Sequence, residues 1–161
     1  MRICILYHSE TGNTRHVAQH IASACSAERL IEILDRTTYT RLTGYASRCS
    51  KAYSESLTPI SPGTIDVAPF DLIIMGSPIW AFKPTPVIHA AVNVLRGYTG
   101  KPVIGFFTHG GMPGSAEKIF TRWCEQRWLK VAGTVSIHKK EIEDEKKTGE
   151  ILKLIKSVGS L

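Results

Sequence analysis

A run of hydroxyl and amide side chains with one glycine directly precedes a helical pattern: Ser9, Glu10, Thr11, Gly12, Asn13 and Thr14. The free N–H groups and the positive dipole end of a helix N-terminus favour an anion. Because the loop contains no lysine, it differs from the loop that binds nucleoside triphosphates. We therefore expect a phosphate to be held here by neutral donors, the alternative being a capped helix start with spare hydroxyls.

Two later segments have the residue types expected around a flat ligand. Trp80 and Phe82 follow Gly76, so an aromatic ligand can stack on the indole while glycine lets the backbone reorient beside it. The alternative is that both rings cover the end of a sheet. Residues 108–115 are rich in glycine and offer backbone N–H donors to the edge of the same ligand.

Continuous apolar runs predict the elements that position these segments. Residues 3–7, 72–75 and 103–107 are typical of strands buried on both faces of a parallel sheet, and residues 30–34 and 131–137 are weaker candidates. Helical spacing marks residues 17–25, 87–95, 119–124 and 152–158. Residues 37–62 are too long for a bare connection and are expected to contain another helix. This alternation predicts a doubly wound sheet of five strands, which binds ligands at the carboxyl ends of its strands.

Composition places the chain among ordinary globular proteins. Its 161 residues suit a single domain over 1–161, and 43% hydrophobic with 21% charged residues excludes a disordered chain. No apolar stretch is long enough to span a bilayer, and the four cysteines show no paired spacing. We expect a cytoplasmic protein with no membrane partner.

The net charge of +6 is concentrated late in the chain, where residues 101–134 carry five basic and two acidic residues. The basic residues at 118–130 are either a surface for an acidic protein partner or a solvated helix face. They lack interleaved aromatic residues, so we expect no nucleic acid partner.

Several other chemistries lack their residues. His16 and His20 have helical spacing for zinc, but no third ligand is evident, so no metal site is expected. There is no G-x-S-x-G motif of a serine hydrolase. A phosphoacceptor domain needs acidic residues after the first and third strands, and here Tyr7-His8 and Gly76-Ser77 stand there.

The S-x-T-G-N-T loop, the Gly-Ser-Pro-x-Trp segment and the glycine-rich segment, in this order, resemble flavodoxins. The resemblance implies a flavodoxin-like three-layer α/β fold with strand order 2-1-3-4-5 and a non-covalently bound FMN. Residues 9–14 would hold the phosphate, and no catalytic side chain would be needed. The ring would be flanked by two further groups: Ser77, Pro78, Ile79, Trp80 and Ala81 on one side, and Thr108, His109, Gly110 and Gly111 on the other.

Three functions remain open at this point. The first is an electron carrier between redox protein partners, and the second is an NAD(P)H-dependent reductase of quinones or another small acceptor, with residues 37–62 and His109 as candidates for its pocket. The third is a binding module without flavin. Because many flavodoxins are acidic and this chain is basic, we expect its fully reduced, anionic flavin to form at a less negative potential.

Overall fold

The structure is a computed structural model that describes residues 1–37 and 57–160. Its centre is a sheet of five parallel strands in the order β2-β1-β3-β4-β5, which confirms the predicted topology. The strands are β1 Ile3–Tyr7, β2 Arg29–Glu32, β3 Leu72–Trp80, β4 Pro102–His109 and β5 Lys130–His138. The three continuous apolar runs form the three central strands because only these are covered on both faces.

Helices cover both faces of the sheet: α1 Asn13–Cys25, α2 Pro86–Val94, α3 Ala116–Gln126 and α4 Glu145–Gly159, with a single 3₁₀ turn at Lys139–Glu141. One core layer packs apolar residues of α1 and α4, such as Ile21 and Ile151, against the sheet. The other packs α2 and α3 against the opposite face through residues such as Ile88 and Phe120. The result is the expected three-layer arrangement.

The third strand is longer than predicted. The predicted strand ends at residue 75, but β3 continues through residues 76–80 to Trp80. The extension is stable because Gly76, Ser77 and Pro78 pair with β4, and Ile79 and Trp80 pair antiparallel with the short strand Lys83–Pro84.

Short strand pairs brace the connections. Leu34–Asp35 pairs antiparallel with Ile60–Ser61, and Ile65–Asp66 pairs parallel with Leu95–Arg96. The buried ammonium of Lys101 donates hydrogen bonds to the carbonyls of Val67 at 2.6 Å and Ala68 at 3.1 Å. These contacts fix the turn that leads into β3.

The end of α3 carries an unusual residue. Trp128 has φ 59°, and its N–H donates to the carbonyl of Glu125 at 2.9 Å, while the N–H of Leu129 donates to Cys124. Glycine usually closes a helix in this left-handed conformation. Here a tryptophan takes this position, and its indole is 88% exposed.

The helix predicted within residues 37–62 falls largely on 38–56, outside the described residues. In the described part of the chain, no helix has both the length and the apolar character to cross a membrane.

Candidate functional site

A cavity of about 440 Å³ opens at the carboxyl ends of β1, β3 and β4. Its volume is typical of small-molecule sites. The three chemically distinctive segments of the sequence meet here, together with one residue that follows β5. The lining residues are Glu10, Thr11, Asn13, Pro78, Ile79, Trp80, Thr108, His109, Gly110 and Lys139.

Only some residues of the loop after β1 line the cavity. Glu10, Thr11 and Asn13 line the cavity, whereas Ser9, Gly12 and Thr14 are not among its lining residues. Gly12 is the N-cap of α1 with φ 96°, a conformation that glycine adopts without strain, and the first helical turn contains no acidic residue. The N-terminus of α1 thus presents its positive dipole end with no carboxylate in its own first turn.

Ser9 and Thr14 hold the loop in place. The hydroxyl of Ser9 accepts a hydrogen bond from the N–H of Arg15 at 3.2 Å. The buried hydroxyls of Thr14 and Thr108 lie 2.7 Å apart and share one hydrogen bond. This bond ties the loop after β1 to the end of β4 across the sheet.

The end of β3 forms one wall of the cavity. Pro78, Ile79 and Trp80 line it, and the indole of Trp80 is partly exposed. Ser77 is fully buried, and its hydroxyl accepts a hydrogen bond from the N–H of Thr85 at 2.9 Å, so this residue supports the wall from behind.

The hairpin beyond the wall turns through two strained residues. Ala81 and Phe82 have φ 48° and 65°, and the side chain of Phe82 is 59% exposed. The N–H of Ser115 donates to the carbonyl of Phe82 at 3.2 Å, which links the hairpin to the segment after β4. Neither Ala81 nor Phe82 lines the cavity.

Two histidines hold the glycine segment on the other side. The Nδ1 of His109 donates to the carbonyl of Gly111 at 2.7 Å, and the Nε2 of His138 donates to that of Gly110 at 3.3 Å. Their rings meet edge to face with centroids 5.3 Å apart. Thr108, His109 and Gly110 line the cavity, while Gly111 is exposed and outside the lining.

Lys139 lines the cavity and was not among the candidate residues of the sequence analysis. It directly follows β5, and β5 is the neighbour of β4 in the sheet. Its position just after a predicted strand was therefore the signal in the sequence that could have identified Lys139.

The part of β3 just before the cavity wall is closely packed. Gly76 pairs with Tyr7 on one side and Phe106 on the other. A Cβ at this position would lie 2.1 Å from Cζ of Phe106. The ring of Phe106 therefore occupies the space that any larger residue at position 76 would need.

The charges around the cavity are mixed. Glu10 and Lys139 both line it, and the guanidinium of Arg15 is paired with Glu32 at 2.6 Å. Burial lowers the pKa of His8, the residue before the loop, below its ordinary value. Among residues 1–37 and 57–160, no group of three or more His, Cys, Asp or Glu side chains could hold a metal ion.

Comparisons with known proteins agree with this architecture. A family model described as flavodoxin matches residues 2–145. A Lactobacillus acidophilus flavoprotein, solved in complex with FMN, aligns with TM-score 0.69 at 24% identity over 91% of this chain and 98% of its own. A Bacteroides uniformis flavoprotein gives TM-score 0.73 at 24% identity over 91% and 97%.

The two-electron reduced flavodoxin of Megasphaera elsdenii aligns with TM-score 0.63 at 20% identity over 99% of this chain and 100% of its own. A comparison of the sequence with curated proteins finds no match. The match of the family model to most of the chain, on a sheet of the expected strand order, shows that the protein belongs to the flavodoxin family.

Proposed function

We propose that this protein binds FMN without a covalent bond and carries electrons between redox proteins. The observation that supports this most directly is that one cavity joins the loop at the N-terminus of α1 to the indole of Trp80. FMN combines a phosphate with a flat ring system, so it matches both features. The Lactobacillus acidophilus relative was solved with this cofactor.

The residues present fit the cofactor. The phosphate would be held at the N-terminus of α1 by backbone N–H groups, the Thr11 hydroxyl and the Asn13 amide, which are all neutral donors. Trp80 would flank the ring, and residues 108–111 would contact its edge. The bond between Thr14 and Thr108 fixes the distance between the two ends of this site.

Bound FMN would supply the one-electron and two-electron redox chemistry. The chain binds and orients the cofactor and covers its ring from one side with Trp80. Electron exchange at an open edge requires no acid or base from the protein. Phe82 and Met112 directly follow the segments that would flank the ring. Their side chains are 59% and 73% accessible and offer apolar contact to a partner.

The basic residues do not form one docking surface. Lys130 starts β5 and pairs with the first residue of β4, whereas the cavity lies at the last residues of β4, about 25 Å away along the strand. Lys118 in the first turn of α3 and Lys140 after β5 lie at the cavity end and are exposed. We infer that an acidic partner docks at Lys118 and Lys140 rather than at Arg127 and Lys130.

A reductase acting on a small acceptor is the second candidate. Lys139 and His109 line the cavity and would suit an anionic acceptor or the phosphate of NAD(P)H. The two functions differ in a simple assay. A reductase oxidises NAD(P)H with a quinone at catalytic rates, whereas a carrier does so negligibly and exchanges electrons with a reductase protein.

The first test is the visible absorption spectrum of the purified chain with and without added FMN. We expect flavin bands that remain after gel filtration and are lost in the variant T11A/W80A. The matched control is Phe82→Ala, which removes a nearby exposed ring outside the cavity and should retain FMN. A wild-type chain that takes up no FMN would contradict the proposal.

The docking surface is tested by two variants with equal charge change. K118E/K140E should slow reduction by an acidic partner and weaken the salt dependence of the rate, because these charges lie at the contact. R127E/K130E should have little effect, since its charges lie beyond the screening length of about 8–10 Å. The opposite ranking would refute the assignment of the docking surface.

A further inference from the structure

His8 is a buried imidazole at the end of β1, 5% exposed, with its backbone N–H donating to the carbonyl of Gly76 at 3.0 Å. Its Nδ1 lies 2.8 Å from the carbonyl oxygen of Ile33. A carbonyl only accepts, so Nδ1 carries the proton and Nε2 of the neutral ring carries a lone pair. Within the described part of the chain, this Nε2 is buried and has no hydrogen-bond partner.

Two lining residues of the cavity surround this atom. The carboxylate of Glu10 lies 3.7 Å from Nε2, and the ring meets that of Trp80 edge-on, with centroids 6.0 Å apart and planes at 83°. Glu10 and Trp80 both line the cavity, so His8 stands directly behind its wall. A buried polar atom without a partner is costly, which indicates a state in which Nε2 is used.

Among the residues that the structure describes, the charged groups that act on the pKa of His8 are carboxylates. Glu10 lies in the loop that follows His8. Glu32 is the last residue of β2 and is paired with Arg15, and Asp35 lies in the short strand Leu34–Asp35. From β3, the uncharged ring of Trp80 contacts the His8 ring. Burial lowers the pKa of His8, and the Ile33 hydrogen bond and these carboxylates oppose that shift. The ring is therefore neutral near pH 7, close to groups that would stabilise its charge.

We propose that His8 takes up a proton when flavin in the cavity is reduced and releases it on reoxidation, so that the reduction potential depends on pH. Nε2 binds a single proton: when the reductant delivers one electron that leaves a negative charge in the site, one proton from water binds Nε2, and the new N–H points to the carboxylate of Glu10. That proton compensates the charge of this one electron and returns to water when the electron leaves. This inference rests on the proposed function.

The physical reason is the thermodynamic linkage between proton binding by His8 and reduction of the flavin. Negative charge added beside Trp80 favours the protonated imidazole, and by reciprocity the protonated imidazole favours reduction. Between the pKa values of His8 in the oxidised and reduced protein, the potential becomes more negative as pH rises. Each tenfold fall in proton concentration then lowers it by up to about 59 mV for a one-electron couple.

The experiment is a potentiometric titration of the FMN-loaded full chain between pH 5.5 and 8.5. His8→Asn retains a donor for the Ile33 carbonyl but cannot be protonated, so its potential should vary much less with pH than that of the wild type. His20→Asn, which changes an exposed histidine on α1, should behave as the wild type. Equal pH slopes in the wild type and His8→Asn would overturn the inference.

A second measurement does not depend on a variant. NMR of the wild-type His8 ring in the oxidised and fully reduced proteins should show at least a tenfold rise in proton affinity on reduction, and an unchanged affinity would overturn the inference. A chain that retains no FMN, seen in the spectrum before any titration, overturns the proposed function and this inference together. Retention of FMN with an unresponsive His8 overturns the inference alone.

Discussion

Replacing Gly76 by alanine tests the packing of β3 just before the cavity wall. The added Cβ would lie 2.1, 2.5 and 2.7 Å from three ring carbons of Phe106. Carbon atoms in contact are about 3.5–4.0 Å apart, so the ring must move by more than about 1 Å. Phe106 is fully buried, and forced overpacking of this kind costs about 1–3 kcal/mol. For a chain of this length, that predicts a Tm lower by about 2–12 °C.

Urea unfolding of the flavin-free protein measures this cost. The matched control is Gly111→Ala, because no atom lies within 4 Å of a Cβ there, and its free energy of unfolding should stay within about 0.5 kcal/mol of the wild type. The double variant G76A/F106L should cost less than the sum of its single changes, because the smaller side chain makes room for the methyl group. A Gly76→Ala protein as stable as the control, or strict additivity, would refute the reasoning.

Two substitutions and one labelling experiment test the surrounding fold. Lys101→Met should lower the free energy of unfolding by about 1–3 kcal/mol, since two backbone carbonyls lose their buried donor, and an unchanged urea midpoint would contradict this. Trp128→Gly should raise it by about 1 kcal/mol by relieving the left-handed conformation, and a lower Tm would count against that account. Burial raises the pKa of Cys4 and Cys124 to about 12, so peptide mapping should find both unlabelled by a thiol reagent at pH 8 until urea is added. Rapid labelling of the folded protein would show that these thiols are accessible.

The sequence predicted the sheet well because its central strands are buried on both faces. The run at residues 3–7 coincides with β1, and the order of the five strands is as expected. It did not predict that β3 continues to Trp80, because Gly76, Ser77 and Pro78 are typical turn residues. Their extended conformation depends on pairing with β4, which is a tertiary contact.

The candidate site was only partly predictable for a similar reason. Residues of one short loop face different directions: Thr11 lines the cavity, whereas the hydroxyl of Thr14, three residues later, turns inward to Thr108. Lys139 enters the lining because β5 lies beside β4, so its position just after a predicted strand, and not the residue types around it, was the signal for it. The orphaned Nε2 of His8 likewise depends on the packing of Ile33 and Trp80 around one ring.

The three tryptophans lie in three different surroundings, which gives the chain its own set of fluorescent reporters. Trp80 lines the cavity, so its emission should be quenched by a flavin stacked upon it. Trp123 is 2% exposed and stacked on His89 at 4.1 Å, so its emission should shift to longer wavelength on unfolding. Trp128 projects into solvent before and after both events. Its steady emission is an internal reference against which cofactor loading and unfolding are read separately in one sample.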